Sequence, residues 1–481
     1  MTHTTALGEP IGAPVPGWTP PPRPPRAPLE GRWVRLEPLS ATRHGNDLWE
    51  AFSANADGSD WTYRMQDAFA SEAALTDWLS RIETDPNAIF FAYIDKATGK
   101  ALGNGALMSI AEGAGSIEVG SIMFAPALKG TRAATEAMYL KMKWAFEAGY
   151  RRYEWTCDAL NAASMAAAAR LGFSYEACFR QAYVTKGRNR DKACFAITDA
   201  DWPALKAVFE AWLDPANFDA AGTQQQRLSA LTGPLLRARA PAFAATRHNA
   251  MGQPIGPAVA SRAPATRPGN LVLEGRYCRL EQLTPAHAGD MFEAIQDDAE
   301  GRIWTYMPNG PFDSLAGYAA WLNDAIAVSD PLQFAIMVDG KTVGTASYLR
   351  IDPQHGTIEV GFITFTPRLQ KTRAATEAMY LMMRWAFENG YRRYEWKCND
   401  LNAPSRRAAQ RYGFSYEGTF GHALVVKGGN RDTAWYAAID SEWPKLKAAF
   451  DQWLAPDNFD SDGQQRVSLS ALTAPILVAK G

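Results

Sequence analysis

A chain of 481 residues is too long for one ordinary hydrophobic core, so two or more domains are expected. A net charge of -2, with 21% charged and 47% hydrophobic residues, describes a globular protein and excludes the basic excess of a module that grips a phosphate backbone. Five cysteines without a C-x-x-C pair exclude a disulfide framework or thiolate zinc site, and no window is long and apolar enough to span a bilayer, so a cytoplasmic chain with no metal is expected.

In chain order, Trp33 to Leu39 alternates as a strand, and Ala41 to Ser53 and Ser71 to Ile82 have helical spacing. Ile89 to Ile94, Ala101 to Ile110 and Ser116 to Phe124 are apolar, partly β-branched runs separated by turns. Thr131 to Ala148 is a long helix, followed by a strand at Tyr153 to Cys157 and a helix from Ala162 to Leu171. A hairpin from Phe173 to Thr198, turning near Gly187, and a helix around Trp202 to Leu213 complete the unit. Antiparallel strands that later interleave with helices predict an α/β fold, with a mixed, mostly antiparallel sheet flanked by helices.

The whole unit then recurs. TRAATEAMYL at Thr131 to Leu140 is repeated identically at Thr372 to Leu381, 241 residues on, and the same register carries GYRRYEW, GFSYE and Asn189-Arg190-Asp191 to their second occurrences. The leading arms correspond as well, GEPIGAPV from Gly8 with GQPIGPAV from Gly252. So long a period means a pair of domains and not a solenoid. The expected division is a Pro-rich arm over 1–28, a first domain over 29–232, a linker over 233–269, a second domain over 270–474 and a tail over 475–481.

Chemistry concentrates where the strand ending at Phe124 runs through Lys129, Gly130, Thr131, Arg132, Ala133 and Ala134 into the long helix. The unpaired N–H groups of the helix start, its dipole and small residues make an anion cradle, while an ordinary capped helix with Thr131 at the N-cap is the alternative.

That loop, with Asn161-Ala-Ala-Ser164 and Arg170-Leu-Gly-Phe173, resembles the GNAT superfamily, in the branch similar to ribosomal-protein N-terminal acetyltransferases. The resemblance covers about Arg32 to Phe195 and Arg276 to Tyr436, and implies two tandem GNAT-like domains using acetyl-coenzyme A. Its six signature positions fall on Lys129 to Ala134 and on Gln370, Lys371, Thr372, Arg373, Ala374 and Ala375, with arginine where the family usually has glycine at the fourth. It further implies that strand amides near Ile122 and Ile363, on strands ending in Phe124 and Phe365, hold the thioester, and that Asn161 and Asn402 meet the pantetheine arm unless they are only N-caps. Ser164 and Ser405 take the place of the group that protonates the leaving thiolate, since Ala168 and Ala409 stand where many members have tyrosine.

A base is also required to neutralise the amine, and Glu118 and Glu359 are the candidates, the alternative being carboxylates solvated or bound by arginine. Trp61, Tyr63, Trp304 and Tyr306 fall in the loop that lines the acceptor in the family, and Tyr183 and His422 on the later hairpin, with Leu424 and Gln181 as their counterparts. Trp155 and Trp396 are read as core, and Cys157 and Cys398 as buried thiols.

The activity implied is direct acetyl transfer to a primary amine of an amino acid, a peptide or protein N-terminus, or a small molecule. Two alternatives stand beside it: a coenzyme A-binding regulatory or scaffolding protein with an inactive copy, the first being the suspect because Gln370 fits the signature better, and a modifier of ribosomes or aminoacyl-tRNA. The partners expected are the amine and an internal pseudo-dimer, with higher oligomers open and membrane or nucleic acid not expected.

Overall fold

The computed structural model describes residues 3–55, 57–220, 222–260 and 263–481. The first half runs through the strand Val34–Pro38, helices Ala41–Ser53 and Glu72–Ile82, and antiparallel strands Ile89–Asp95, Ala101–Ala111 and Ser116–Phe124. Helix Arg132–Glu147, strand Arg152–Asp158, helix Ala162–Arg170, the hairpin of Ser174–Thr185 with Arg188–Thr198, and helix Trp202–Trp212 follow. The second half repeats this order from Arg279–Gln282 to Trp443–Leu454. Among the described residues no helix is long and apolar enough to cross a membrane.

Helix Arg132–Glu147 shows why the repeated run is so uniform. Thr131 Oγ1 accepts the Ala134 N–H at 3.2 Å, and Gly149, at φ +97°, ends the helix as only glycine readily does. Ala137, Met138, Met142 and Ala145 pack beneath the sheet, each buried methionine contributing about 1.5–3 kcal/mol. Glu136 is buried too, and its carboxylate accepts the backbone N–H groups of Arg32, Trp33 and Val34 at 2.7, 2.7 and 3.0 Å. Glu377 does the same for Arg276, Tyr277 and Cys278. A Cβ on Gly31 or Gly275 would overlap these carboxylates, which accounts for the glycine in both LEGR turns.

The sheet is antiparallel except where Ser116–Phe124 meets Arg152–Asp158 and, in the second half, where Thr357–Phe365 meets Arg393–Asn399. In the first half the parallel pairing covers only Ser116 with Arg152, Ile117 with Tyr153 and Glu118 with Glu154, after which the strands diverge into a cleft. The second pair diverges after Val360 and Trp396. A bulge follows in each first strand, with Ser121 at φ 51° and Phe362 at φ 47°.

Among the described residues, both halves share one sheet of 16 strands. The join is antiparallel, Ser174–Thr185 beside Ser415–Val426, with Ala177 opposite Gly418. Gly418 has φ +150°, and a Cβ there would overlap the Glu176 carbonyl oxygen, so the close approach requires glycine on one side. Phe179, Phe420 and Trp435 pack across the join. Arg152, 1% exposed, pairs with Glu154 and Glu176 and donates to the Gly421 carbonyl of the other half at 2.8 Å. Arg393 answers it, pairing with Glu395 and Glu417 and donating to the Arg180 carbonyl at 2.7 Å.

The arms are exchanged. The arm before the first half lies on the second, where the Asn430 N–H donates to Ala13 and the Tyr306 hydroxyl to Pro10, both at 2.8 Å. The arm before the second half lies on the first, where the Asn189 N–H donates to Pro257 and the Tyr63 hydroxyl to Pro254, both at 2.9 Å. Gly12 and Gly256 touch the carbonyls of Asn430 and Asn189 so closely that no Cβ fits, which explains the G in both P-I-G arms.

Candidate active site

The signature loop keeps one path in both halves. Its second position has positive φ in each, Gly130 at +75° and Lys371 at +61°, and Thr131 and Thr372 cap the helices through Ala134 and Ala375. The first turns thus present Arg132–Ala133 and Arg373–Ala374 as helix-start backbone, where N–H groups favour an anion. The arginines do something else. Arg132 lies 5.0 Å from the Trp33 ring and 4.9 Å from Phe218, and Arg373 lies 3.9 Å from Phe459, so both guanidiniums stack against aromatic faces. The Lys129 ammonium is on Asp60 at 2.6 Å, and Gln370 donates to the Phe365 carbonyl at 2.8 Å. The Ile122 carbonyl, beside the bulge, accepts from Arg64 at 2.7 Å. Phe124 packs on Tyr93, while Ile363 and Phe365 lie against the second core.

Asn161 and Asn402 cap the next helix, each accepting the N–H of Ser164 or Ser405 at 3.1 Å. Both serine hydroxyls accept a hydrogen bond from a tryptophan indole, Trp155 and Trp396, also at 3.1 Å. The tryptophans are therefore buried, as are Cys157 and Cys398, whose thiols burial pushes up to about 11, unsuited to nucleophilic attack.

Glu118 and Glu359 share a register and differ in company. Glu118 accepts the Thr156 hydroxyl at 2.7 Å and the Ser109 hydroxyl at 2.9 Å. Burial raises its pKa above the usual carboxylate range, with the Thr156 hydrogen bond opposing. At the positions of those hydroxyls the second half carries Arg350 and Lys397, 2.7 and 3.7 Å from the Glu359 carboxylate. Burial still raises Glu359, with the charge of Arg350 opposing, and both cations lie on one of its oxygens, Oε2. The alternative of an arginine-bound carboxylate is thus realised in the second half.

A cavity of about 620 Å³ lies between the halves, bordered by Glu118, Thr156, Tyr183 and Lys192 from one and Arg350, Lys397 and Leu424 from the other. Tyr183 meets His355 edge to face, with 5.0 Å between ring centroids. A second cavity of about 730 Å³ lies between the Trp61–Tyr63 loop, the hairpin tip at Lys186–Arg190 and the exchanged arm, with Asp158 on its wall. Glu154, Thr156 and Asp158 alternate onto one face of their strand, so the two cavities lie in succession along it.

Trp61 and Tyr63 border the second cavity. Trp61 and Trp304 are buried against Phe69 and Phe312, and Tyr63 and Tyr306 hold the arms. His422 borders neither cavity; its imidazole bonds Asp199 of the other half, as Gln181 bonds Asp440 at 3.1 Å. Because the hairpin carries the join, its inward polar residues meet the other half instead. Sequence reasoning missed Ser109, Thr156 and Lys192, which become conspicuous only when set beside Arg350, Lys397 and Thr433.

Comparison with known proteins identifies the family. The model of the acetyltransferase (GNAT) domain matches residues 34–174 and 278–415, more than half of the chain. A GCN5-related N-acetyltransferase from Brucella melitensis is 45% identical over 46% of this chain and 100% of its own, with a TM-score of 0.45. A probable GNAT-family acetyltransferase from Chromobacterium violaceum is 34% identical over 43% of this chain and 100% of its own, with a TM-score of 0.39. RimJ of Mycobacterium smegmatis, solved with CoA-disulfide, is 20% identical over 36% of this chain and 87% of its own, with a TM-score of 0.33. None of the curated proteins compared with the chain matches it. The chain belongs to the GNAT family of acetyltransferases, with the domain present twice.

Proposed function

We propose that the first half transfers acetyl from acetyl-coenzyme A directly to a primary amine, with Glu118 as general base. The observation that carries this is the Glu118 carboxylate, half-buried, raised in pKa and accepting two hydroxyl hydrogen bonds at the wall of a cavity that Lys192 also borders. The helix start at Thr131 would hold the pyrophosphate through backbone N–H groups and the dipole, since Arg132 is committed to Trp33 and Phe218. Backbone beside the Ser121 bulge would orient the thioester. The amine gives its proton to Glu118, directly or through water or the Thr156 hydroxyl, and its lone pair attacks the carbonyl carbon. The C–N bond forms, the C–S bond breaks, and the proton that the attacking nitrogen sheds passes through water or the Ser164 hydroxyl to the thiolate.

In the second half the cations of Arg350 and Lys397 hold the Glu359 carboxylate in its charged form, so taking up a proton there means giving up those ion pairs. That half therefore serves as the pseudo-dimer support, the reverse of the assignment suggested by Gln370. An amine of an amino acid, peptide or small molecule remains the acceptor class, in a cytoplasmic setting. The test is thiol release by the full chain with acetyl-coenzyme A and a panel of primary amines, beside calorimetric titration of coenzyme A. Release with at least one amine and saturable binding are expected; neither binding nor release would end the enzyme reading.

A further inference from the structure

The larger cavity is not built by one half alone. Its walls come from the Trp61–Tyr63 loop and the Lys186–Arg190 hairpin tip, but its cover, His248 to Met251 with Ile255 and Gly256, belongs to the arm that precedes the second half. That arm is clasped at both ends of the opening. Gln253 accepts the Thr62 hydroxyl and donates to the Ser59 carbonyl at 3.1 Å, and the Val259 N–H donates to Gly187 at 2.8 Å. A cover held by a few hydrogen bonds to a loop and a hairpin tip can open without disturbing either core.

The polar groups inside are incompletely matched. The Arg190 Nε is buried without a hydrogen-bond partner and lies 3.9 Å from the Asp158 carboxylate, too far for a hydrogen bond. Arg188 reaches only the Gly256 carbonyl of the arm, at 3.4 Å. Asp158 accepts one N–H, from Leu160 at 2.8 Å, and burial raises its pKa. Lys186, by contrast, is satisfied by the Trp61 carbonyl at 2.8 Å and Asp67 at 2.9 Å. A buried guanidinium wanting an acceptor, with a carboxylate wanting a donor beside it, is matched by a ligand carrying both an anion and an ammonium. The second half has Gly429, Asn399 and Gly310 at the positions of Arg188, Asp158 and Asp67, so it does not repeat this set.

We propose that the arm over residues 247–259 completes the first half's acceptor site in trans, and that the site takes an amine that also carries a carboxylate, an amino acid or short peptide. Arg188 and Arg190 hold the carboxylate, and the amine points along the strand from Asp158 toward Thr156 and Glu118. This rests on the reading of the first half as the acetylating one.

The probes are free amino acids and dipeptides, each beside its C-terminal amide, assayed for thiol release and titrated calorimetrically into the full chain. The free acids should exceed their amides at least tenfold in kcat/KM and in affinity, and Arg188→Ala should erase the preference. Gly256→Ala, which displaces the arm, and the milder Gln253→Ala should raise the acceptor KM at least severalfold while leaving the KM for acetyl-coenzyme A unchanged. Gly12→Ala, in the arm on the second half, should change neither. Equal use of acids and amides, or an acceptor KM indifferent to both arm variants, would overturn the proposal. If no amine releases thiol, the acetyl-transfer reading fails by itself, and the calorimetric preference for acids over amides decides this one.

Discussion

Replacing Lys141 by methionine, the residue at its counterpart Met382, is expected to stabilise the chain at neutral pH and remove part of its pH dependence. Lys141 is fully buried in the helix under the first sheet, with its ammonium on the Tyr93 hydroxyl. Burial without an opposing charge pushes its pKa down from 10.5 to about 7. The unfolded chain therefore binds more protons than the folded one between about pH 7 and 10.5, and stability rises with pH through that window. At roughly 1.4 kcal/mol per unit, the penalty near pH 7 is about 4 kcal/mol, of which about 2 kcal/mol is relieved by pH 9. Urea unfolding of the parent and Lys141→Met at both pH values measures it, the difference between the two proteins cancelling every other titration. The variant should be more stable at pH 7, with the gap narrowing by about 2 kcal/mol at pH 9. A gap that does not change with pH would refute the claim that a buried lysine is responsible.

Three further outcomes follow from the site and the join. Arg152→Ala strands Glu154 and Glu176 at the join and should cost roughly 3–5 kcal/mol in unfolding experiments, as should Arg393→Ala in the other half. Ser164→Ala should lower kcat about ten- to a hundredfold at unchanged acceptor KM if the hydroxyl protonates the thiolate; full activity would leave water in that role. Because burial raises Glu118 and a base must be ionised, kcat/KM should fall on acidification through a pKa above the usual carboxylate range. Thr156→Val, which removes an opposing hydrogen bond, should move that limb to still higher pH.

Much of the fold was legible because periodicity and turn glycines act locally: the cap at Thr131, the stop at Gly149 and the hairpin turn at Gly187 are read from neighbours in sequence. The repeat was legible for the same reason, but its meaning was only half visible. TRAATEAM is shared partly because Glu136 and Glu377 must clasp the LEGR turns, and GYRRYEW because its arginines join the halves, Arg151 reaching Asn430 at 3.0 Å and Arg392 reaching Asn189 at 2.9 Å. Such long-range demands leave no local pattern. The arms looked like linker because proline-rich chain without periodicity has no face to assign, and their exchange depends on where the other half's hairpin tip lies. Glu118 and Glu359 looked equivalent because the residues that distinguish them, Ser109 and Thr156 against Arg350 and Lys397, lie on neighbouring strands.

That distinction gives the most direct test of the account. Glu118→Gln and Glu359→Gln, each made in the full chain, remove the same carboxylate from equivalent places, and thiol release with a productive amine is measured for both over a range of pH. The account predicts that Glu118→Gln loses roughly a hundredfold or more of kcat and its acid limb, whereas Glu359→Gln retains the parental rate and pH profile. Equal losses in the two variants, or a loss confined to Glu359→Gln, would contradict it.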